Sequence, residues 1–217
     1  MSQKIIPFAI LLLILNACAL TVDTVDIEYK PDATAIALPG AKGIVVNLDV
    51  QDVRTSYQDR ISTKKNGYGM EMASIVSTRD VRSMVIDAFQ TELKARGFSV
   101  GKSAVSVQAN IHKFYSDFKV GFFSGESVGE VTFSVQVQDS NSKPIHAKIY
   151  TGEGVVTGVM LMGGENAENS IELAFTTAVK KVMADENFIK SIMAAHAAAS
   201  SSGAVEKKKT PNTVPTS

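Results

Sequence analysis

Residues 77–111, STRDVRSMVIDAFQTELKARGFSVGKSAVSVQANI, carry two periods in succession and decide the fold class. Val81, Met84, Val85, Ala88, Phe89 and Leu93 recur three and four apart, and Glu92 is the one charged member of the stripe. At 3.6 residues per turn that spacing lines one face of a helix. Ser77 or Thr78 is the expected cap, with Asp80 supplying an acid to the first turn. Lys94 and Arg96 suit the negative end of the helix dipole, and Gly97 suits the left-handed residue that ends a helix. From Val105 the period becomes two: Val105, Val107, Ala109 and Ile111 alternate with polar neighbours, as in a strand buried on one side. A helix with one polar face beside a half-buried strand predicts a helix layer over a sheet.

Working outward, Gly43–Val50 reads as a strand through Val46, Leu48 and Val50. Residues 51–70 are polar and read as a long loop, and Met72–Val76 as a short extended piece. Beyond Ile111 the alternation continues into Lys113-Phe114-Tyr115. Val128, Val131, Phe133, Val135 and Val137 form another strand, with a change of phase near Glu130 that predicts a bulge there. Asp139–Lys143 is a turn, and Ile145, Ala147 and Ile149 begin the next strand. Ile171, Ala174, Phe175, Ala178, Val179 and Val182 stripe a second helix over about Asn166 to Met183, interrupted at Asp185-Glu186-Asn187 before Phe188 and Ile192. The order β-α-β-β-β-α predicts an α+β domain over residues 43–196. Its expected core is an antiparallel sheet of about four strands with two helices packed on one face. Residues 18–42, with Pro31, Pro39 and Gly40, are expected to be a flexible tether. Residues 197–217, rich in Ala and Ser and carrying Lys207-Lys208-Lys209, are expected to be disordered.

Composition narrows the function. Twenty-two basic residues balance 22 acidic ones, so no basic excess supports nucleic-acid binding. After Lys4, Ile5–Leu15 is an eleven-residue apolar run broken by Pro7. As a helix it would reach about 16 Å, half a bilayer core, which fits a signal-peptide core and not a membrane span. Leu15-Asn16-Ala17-Cys18 resembles the lipobox of bacterial lipoproteins. Residues 1–17 are therefore expected to be removed as a signal peptide and Cys18, the chain's single cysteine, to be acylated. Ala19 is not the acidic residue that favours inner-membrane retention, so the expected location is the outer membrane, facing the periplasm.

The ends of the first helix carry a resemblance. Ser77-Thr78-Arg79-Asp80 before it, and Ala95-Arg96-Gly97-Phe98 with Val100-Gly101 after it, are similar to the motifs of the YajG-type bacterial lipoproteins. In that family a similar S-R-D precedes the helix and A-R-G-aromatic-x-V-G follows it. The preceding strand, the pair Asp52 and Arg54, and the terminal helix fall in corresponding places. The resemblance covers roughly residues 1–195 and implies a location and a fold more than an activity.

Gly125-Glu126-Ser127-Val128-Gly129 has the G-x-S-x-G form of a hydrolase nucleophile. That elbow needs a strand before the serine and a helix after it, whereas here the strand follows. His146 sits in a strand and His196 in a terminal helix, so neither is placed as its base. His112, His146 and His196 lack metal-ligand spacing, and no metal or cofactor is expected. The binding candidates are Arg54, Tyr57 and Arg60 in the long loop, beside Asp59, Lys64 and Lys65, and Phe122 and Phe123 at a Gly-flanked hairpin tip. Phe114, Tyr115 and Phe118 belong to the same aromatic cluster, which either packs beneath the hairpin or forms a contact surface. The function expected is a non-enzymatic envelope component, held on membrane lipid through Cys18 and engaging an envelope protein. Alternatives are a small-ligand or glycan-binding module and, behind it, an envelope hydrolase using Ser127.

Overall fold

The computed structural model describes residues 21–121 and 124–207, with side chains to residue 201. The elements run β1 (Asp23–Val25), β2 (Val45–Asp52), β3 (Ser62–Lys65), β4 (Glu71–Ser77), α1 (Val81–Ala95), β5 (Ser99–Val100), β6 (Ser106–Lys119), β7 (Gly125–Gln138), β8 (Pro144–Val159), α2 (Gly164–Met183) and α3 (Glu186–Lys207). The α+β class holds, but the expected four-stranded antiparallel sheet does not. The sheet has eight strands and is mixed. β6, β7 and β8 form the antiparallel meander. The other edge of β6 carries two strands end to end, both parallel to it: β2 against Ser106–Ile111 and β3 at Ser116. β5 extends β2, while β4 and then β1 extend β3. The physical reason for the parallel pairing of β2 with β5 and of β2 and β3 with β6 is α1, which lies between them in the chain. A strand that crosses through a helix before rejoining its neighbour returns in the same direction, whereas a tight turn reverses it.

Both α1 and α2 lie on one face of the sheet, as expected, and α3 continues over β7 and β8. β7 alternates without interruption from Gly125 to Gln138, every second residue being buried. The bulge predicted near Glu130 lies instead in β6, where His112 is the extra residue between Ile111, opposite Phe133, and Lys113, opposite Thr132. The apolar pattern of β7 breaks at Gly129 because α2 passes there. A methyl group at Gly129 would sit 2.3 Å from the Ser170 carbonyl oxygen, and one at Gly152 would sit 2.1 Å from that of Ala174. The helix backbone thus rests on the sheet, and β8 runs through Gly152 and Gly154 to Val159, well beyond its legible start at Ile145–Ile149. Around these glycines Phe133 packs edge-on against Phe89 of α1 and Phe175 of α2, at centroid distances of 5.8 and 6.4 Å.

The cap of α1 is Asp80, not Ser77 or Thr78, because Ser77 is still in β4. The Asp80 carboxylate accepts from the Ser83 backbone N–H and hydroxyl, both at 2.9 Å. At the other end Gly97 has φ 92°, its N–H donates to the Lys94 carbonyl, and the Phe98 N–H reaches back to that of Leu93. This is the Schellman arrangement, which satisfies the last carbonyls and turns buried Phe98 into the core. It gives the A-R-G-aromatic motif its physical meaning.

Both terminal expectations need correction. The part of the 18–42 tether that the structure describes is folded: Val25, Ile27 and Ala41 are buried and β1 is a strand. The expected disordered tail from 197 begins as helix, since α3 continues to Lys207. Cys18, Phe122, Phe123, Lys208 and Lys209 lie outside the described residues.

Candidate functional site

The loop joining β2 to β3 is organised from within by Arg54. Its side chain is 4% exposed and forks onto Asp52, with Nη2 donating at 2.7 Å and Nε at 2.9 Å. The same guanidinium donates to the backbone carbonyls of Tyr57 at 3.0 Å and Gln58 at 3.3 Å. Arg54 is therefore a brace and not the exposed contact that the sequence suggested. A planar donor set reaching a carboxylate and loop carbonyls together fixes the loop in one shape.

What the brace presents is Tyr57. It is 42% exposed and has φ 57°, in the left-handed region that bulky side chains rarely occupy. Its ring stacks on buried Tyr115 at 4.1 Å, and the Arg60 guanidinium sits 5.9 Å from its centroid while pairing with Asp59. Of the sequence candidates, Tyr57 and Arg60 are thus brought together at the surface. The Asp59 carboxyl is held below its ordinary range, chiefly by Arg60. Beside them a polar cleft of about 120 Å³ lies between Asp52, Arg60, Arg79 and Asp80. Among the aromatic cluster, Phe114, Tyr115 and Phe118 are buried, while Phe122 and Phe123, on which the contact reading turned, lie outside the described residues.

A second assembly escaped the sequence reading. Glu92 of α1 is 1% exposed and binds Arg96 one turn on. It also accepts from the Tyr29 hydroxyl at 2.6 Å and from the Asp32 N–H at 2.9 Å. Burial, then the bond to Glu92, pushes the Tyr29 phenol well above its ordinary range. Glu172 of α2 accepts from the Glu28 N–H at 2.9 Å and pairs with Lys30 at 3.0 Å. Asp23 bonds the Gly164 N–H at the start of α2 at 2.9 Å and Lys64 of β3 at 2.7 Å. Residues 23–32 form a strap tied to both helices and to the sheet. The visible signal was Glu92, a charge inside an apolar stripe.

The hydrolase pattern is structural. Ser127 is fully buried in β7, and its hydroxyl lies 2.8 Å from that of Ser116 and 2.9 Å from that of Ser170. The three hydroxyls satisfy one another between sheet and helix, and Gly129 supplies room for α2. His112 bonds Ser134 at 2.7 Å while His146 packs against Phe188 and bonds Tyr150 at 3.0 Å, so the two do not meet. Burial lowers the His146 pKa. Tyr150 and Lys148 both donate to Asp185, which ties the α2–α3 junction to β8. Lys148 chiefly holds the Asp185 carboxyl down at about 2. An open groove of about 580 Å³ runs between His146 and Ile145 and the α3 residues Ser191, Ala194 and Ala198. Among the described residues no group of three or more His, Cys, Asp or Glu is placed to hold a metal, and no helix is long and apolar enough to cross a membrane.

Comparison with known proteins places this architecture. Residues 31–193 match the family Lipoprotein_16, described as "Uncharacterized lipoprotein". The chain belongs to this lipoprotein family. It is 23% identical over 197 residues to the lipoprotein YajG of Escherichia coli K12, covering 88% of this chain and 98% of the relative. The YajG sequence of E. coli O6:H1 matches equally. The family resemblance carried by the α1 motifs is thereby confirmed. Among solved structures, the fold is similar to protein XCC0632 of Xanthomonas campestris, with a TM-score of 0.50 and 13% identity over 82% of this chain and 98% of that one.

Proposed function

We propose that this lipoprotein is anchored by acylated Cys18 on the periplasmic side of the outer membrane, after removal of residues 1–17. There it serves as a non-enzymatic binding component of the envelope, with the Tyr57–Arg60 surface as its contact to a protein partner. The observation that carries the reading is Tyr57. A bulky residue with φ 57° costs about 1–3 kcal/mol, and such strain persists where the surroundings impose it for a purpose. Arg54 imposes it, and the result is an exposed aromatic ring flanked by a guanidinium, the pair of groups that most often dominates protein interfaces. A photoreactive side chain placed at Tyr57 in intact cells is expected to yield a discrete protein adduct, suppressed by Arg60→Glu. The same probe at Glu153, exposed on β8, is expected to yield none. Identical patterns at both positions, or no adduct at Tyr57, would refute the contact.

A small-ligand role is the second reading, favoured by the groove beside α3, which combines apolar walls with His146, Asn187 and Lys190. Its test is a scan of envelope glycans and small metabolites for thermal stabilisation that disappears in Ser191→Trp.

A further inference from the structure

The strap determines where the chain enters the fold. β1 runs parallel to β4, with Asp23 level with Ile75, and β4 starts at Glu71 next to the β3–β4 turn. The chain therefore arrives from the rim that carries that turn. The described residues begin at Thr21, three positions after Cys18, and three extended residues span about 10 Å at most.

Three connections gather on this rim. The β3–β4 turn lies against the end of β6, since a methyl group at Gly69 would sit 3.8 Å from Val120. Lys65 at the end of β3 binds Asp117 and the Phe118 carbonyl. The β8–α2 connection returns to the start of β7, where Met162 is 3.2 Å from a methyl group placed at Gly125, and then reaches Gly164, which Asp23 holds. The side chains displayed there are Val22, Tyr68, Met70, Val120, Met160 and Leu161, exposed by 59, 90, 58, 43, 79 and 80%. Tyr68, Leu161 and Met160 are the three most exposed large apolar residues among the described residues. Apolar side chains standing free on adjoining turns, rather than lining a groove, have the form of an interfacial membrane contact. Tyrosine belongs at the headgroup level and methionine and leucine below it. The rim is not a basic patch, because Lys64 and Lys65 are paired with Asp23 and Asp117 and, among the described residues, only Lys119, at the end of β6, adds an exposed ammonium.

We propose that this rim, formed by the β3–β4 turn, the end of β6 and the β8–α2 connection, docks on the lipid bilayer. It inserts Tyr68, Met160 and Leu161, so that the domain rests on the membrane instead of swinging on a tether. The inference rests on acylation at Cys18, which sets the occupant: a surface joined to the lipid by a few residues meets lipid first.

The absence of tryptophan makes the test clean. Leu161→Trp and Tyr68→Trp are prepared as full-length, membrane-extracted protein and reconstituted in vesicles of phosphatidylethanolamine and phosphatidylglycerol containing brominated acyl chains. Ile149→Trp, at an exposed site on β8 away from the rim, serves as the reference. Intact mass of the same samples scores acylation, and thermal melting confirms folding. The expected result is blue-shifted, bromine-quenched emission from the two rim reporters and water-like, unquenched emission from the reference. Acylated protein whose rim reporters remain as water-like as the reference would overturn the docking while leaving the anchor intact. Quenching at all three positions would overturn the orientation. A mass without acyl chains would overturn the anchor and the docking with it.

Discussion

The two ends of the domain look alike in sequence and behave differently in the structure. The leading segment and the stretch from Ala197 both lack a sustained apolar period, and both read as flexible. The leading segment is held at Ile27, Tyr29 and Ala41 and by hydrogen bonds to Glu92 and Glu172. After Ala195, no residue whose side chain is described is buried, although the helix continues. The difference teaches that a segment poor in apolar residues becomes part of a fold when a few of its polar groups meet buried, charged acceptors. Such acceptors satisfy backbone N–H groups that burial would otherwise leave unpaired.

The comparison breaks most severely at Glu92. Glu92→Ala would leave the buried Arg96 with only the more distant Asp32 carboxylate at 3.8 Å, and the Tyr29 hydroxyl and Asp32 N–H without the acceptor they share. The expected loss is about 3–5 kcal/mol, read as a fall in the urea midpoint. Next comes Ile27→Ala, which empties a site 1% exposed and should cost about 2–4 kcal/mol. Asp23→Ala removes the acceptor at the start of α2 and the partner of Lys64. About 1 kcal/mol is expected, and protease should find residues near the amino end sooner.

Acid titrates the α2–α3 junction, where the terminal helix sets out. The Asp185 carboxyl lies at about 2 in the folded chain, below its ordinary value of 3.8, mainly through its bond to Lys148. A depressed folded pKa means that its contribution is present above about pH 4 and is lost as pH falls toward 2. Melting temperature measured over this window should therefore fall less in Asp185→Asn than in the wild type. The smallest effect belongs to the terminal helix: removing residues 201–217 should change stability by no more than about 0.5 kcal/mol in the same urea titration.

Much of the fold was legible because it is local. The α1 stripe, its closing glycine and the alternation of β6 and β7 are all set within a few turns or residues. The parallel placement of β2 and β3 along β6 was not legible, since it follows from a crossover and not from either strand's own pattern. The strap was hidden for a similar reason: Glu28 meets Glu172 and Asp32 meets Glu92 across 144 and 60 residues. At the candidate site, Tyr57 and Arg60 were legible as members of one loop, and the structure brings them together at the surface. Arg54 belonged to the same pattern, yet only the fork onto Asp52 distinguishes a brace from a contact. Ser127 could be set aside as a nucleophile because strand and not helix follows it, but its place inside β7 and its two serine partners needed the packing of α2 to appear.

The claim that the leading segment is part of the domain, and so fixes its approach to the proposed anchor, is tested most directly by amide hydrogen exchange of the full chain. The decisive amides are Glu28 and Asp32, whose only described acceptors are the side chains of Glu172 and Glu92. The account predicts protection approaching that of β7, lost selectively at Asp32 in Glu92→Ala. Exchange at both amides as fast as in an unstructured peptide would return residues 23–32 to the role of a tether and contradict it.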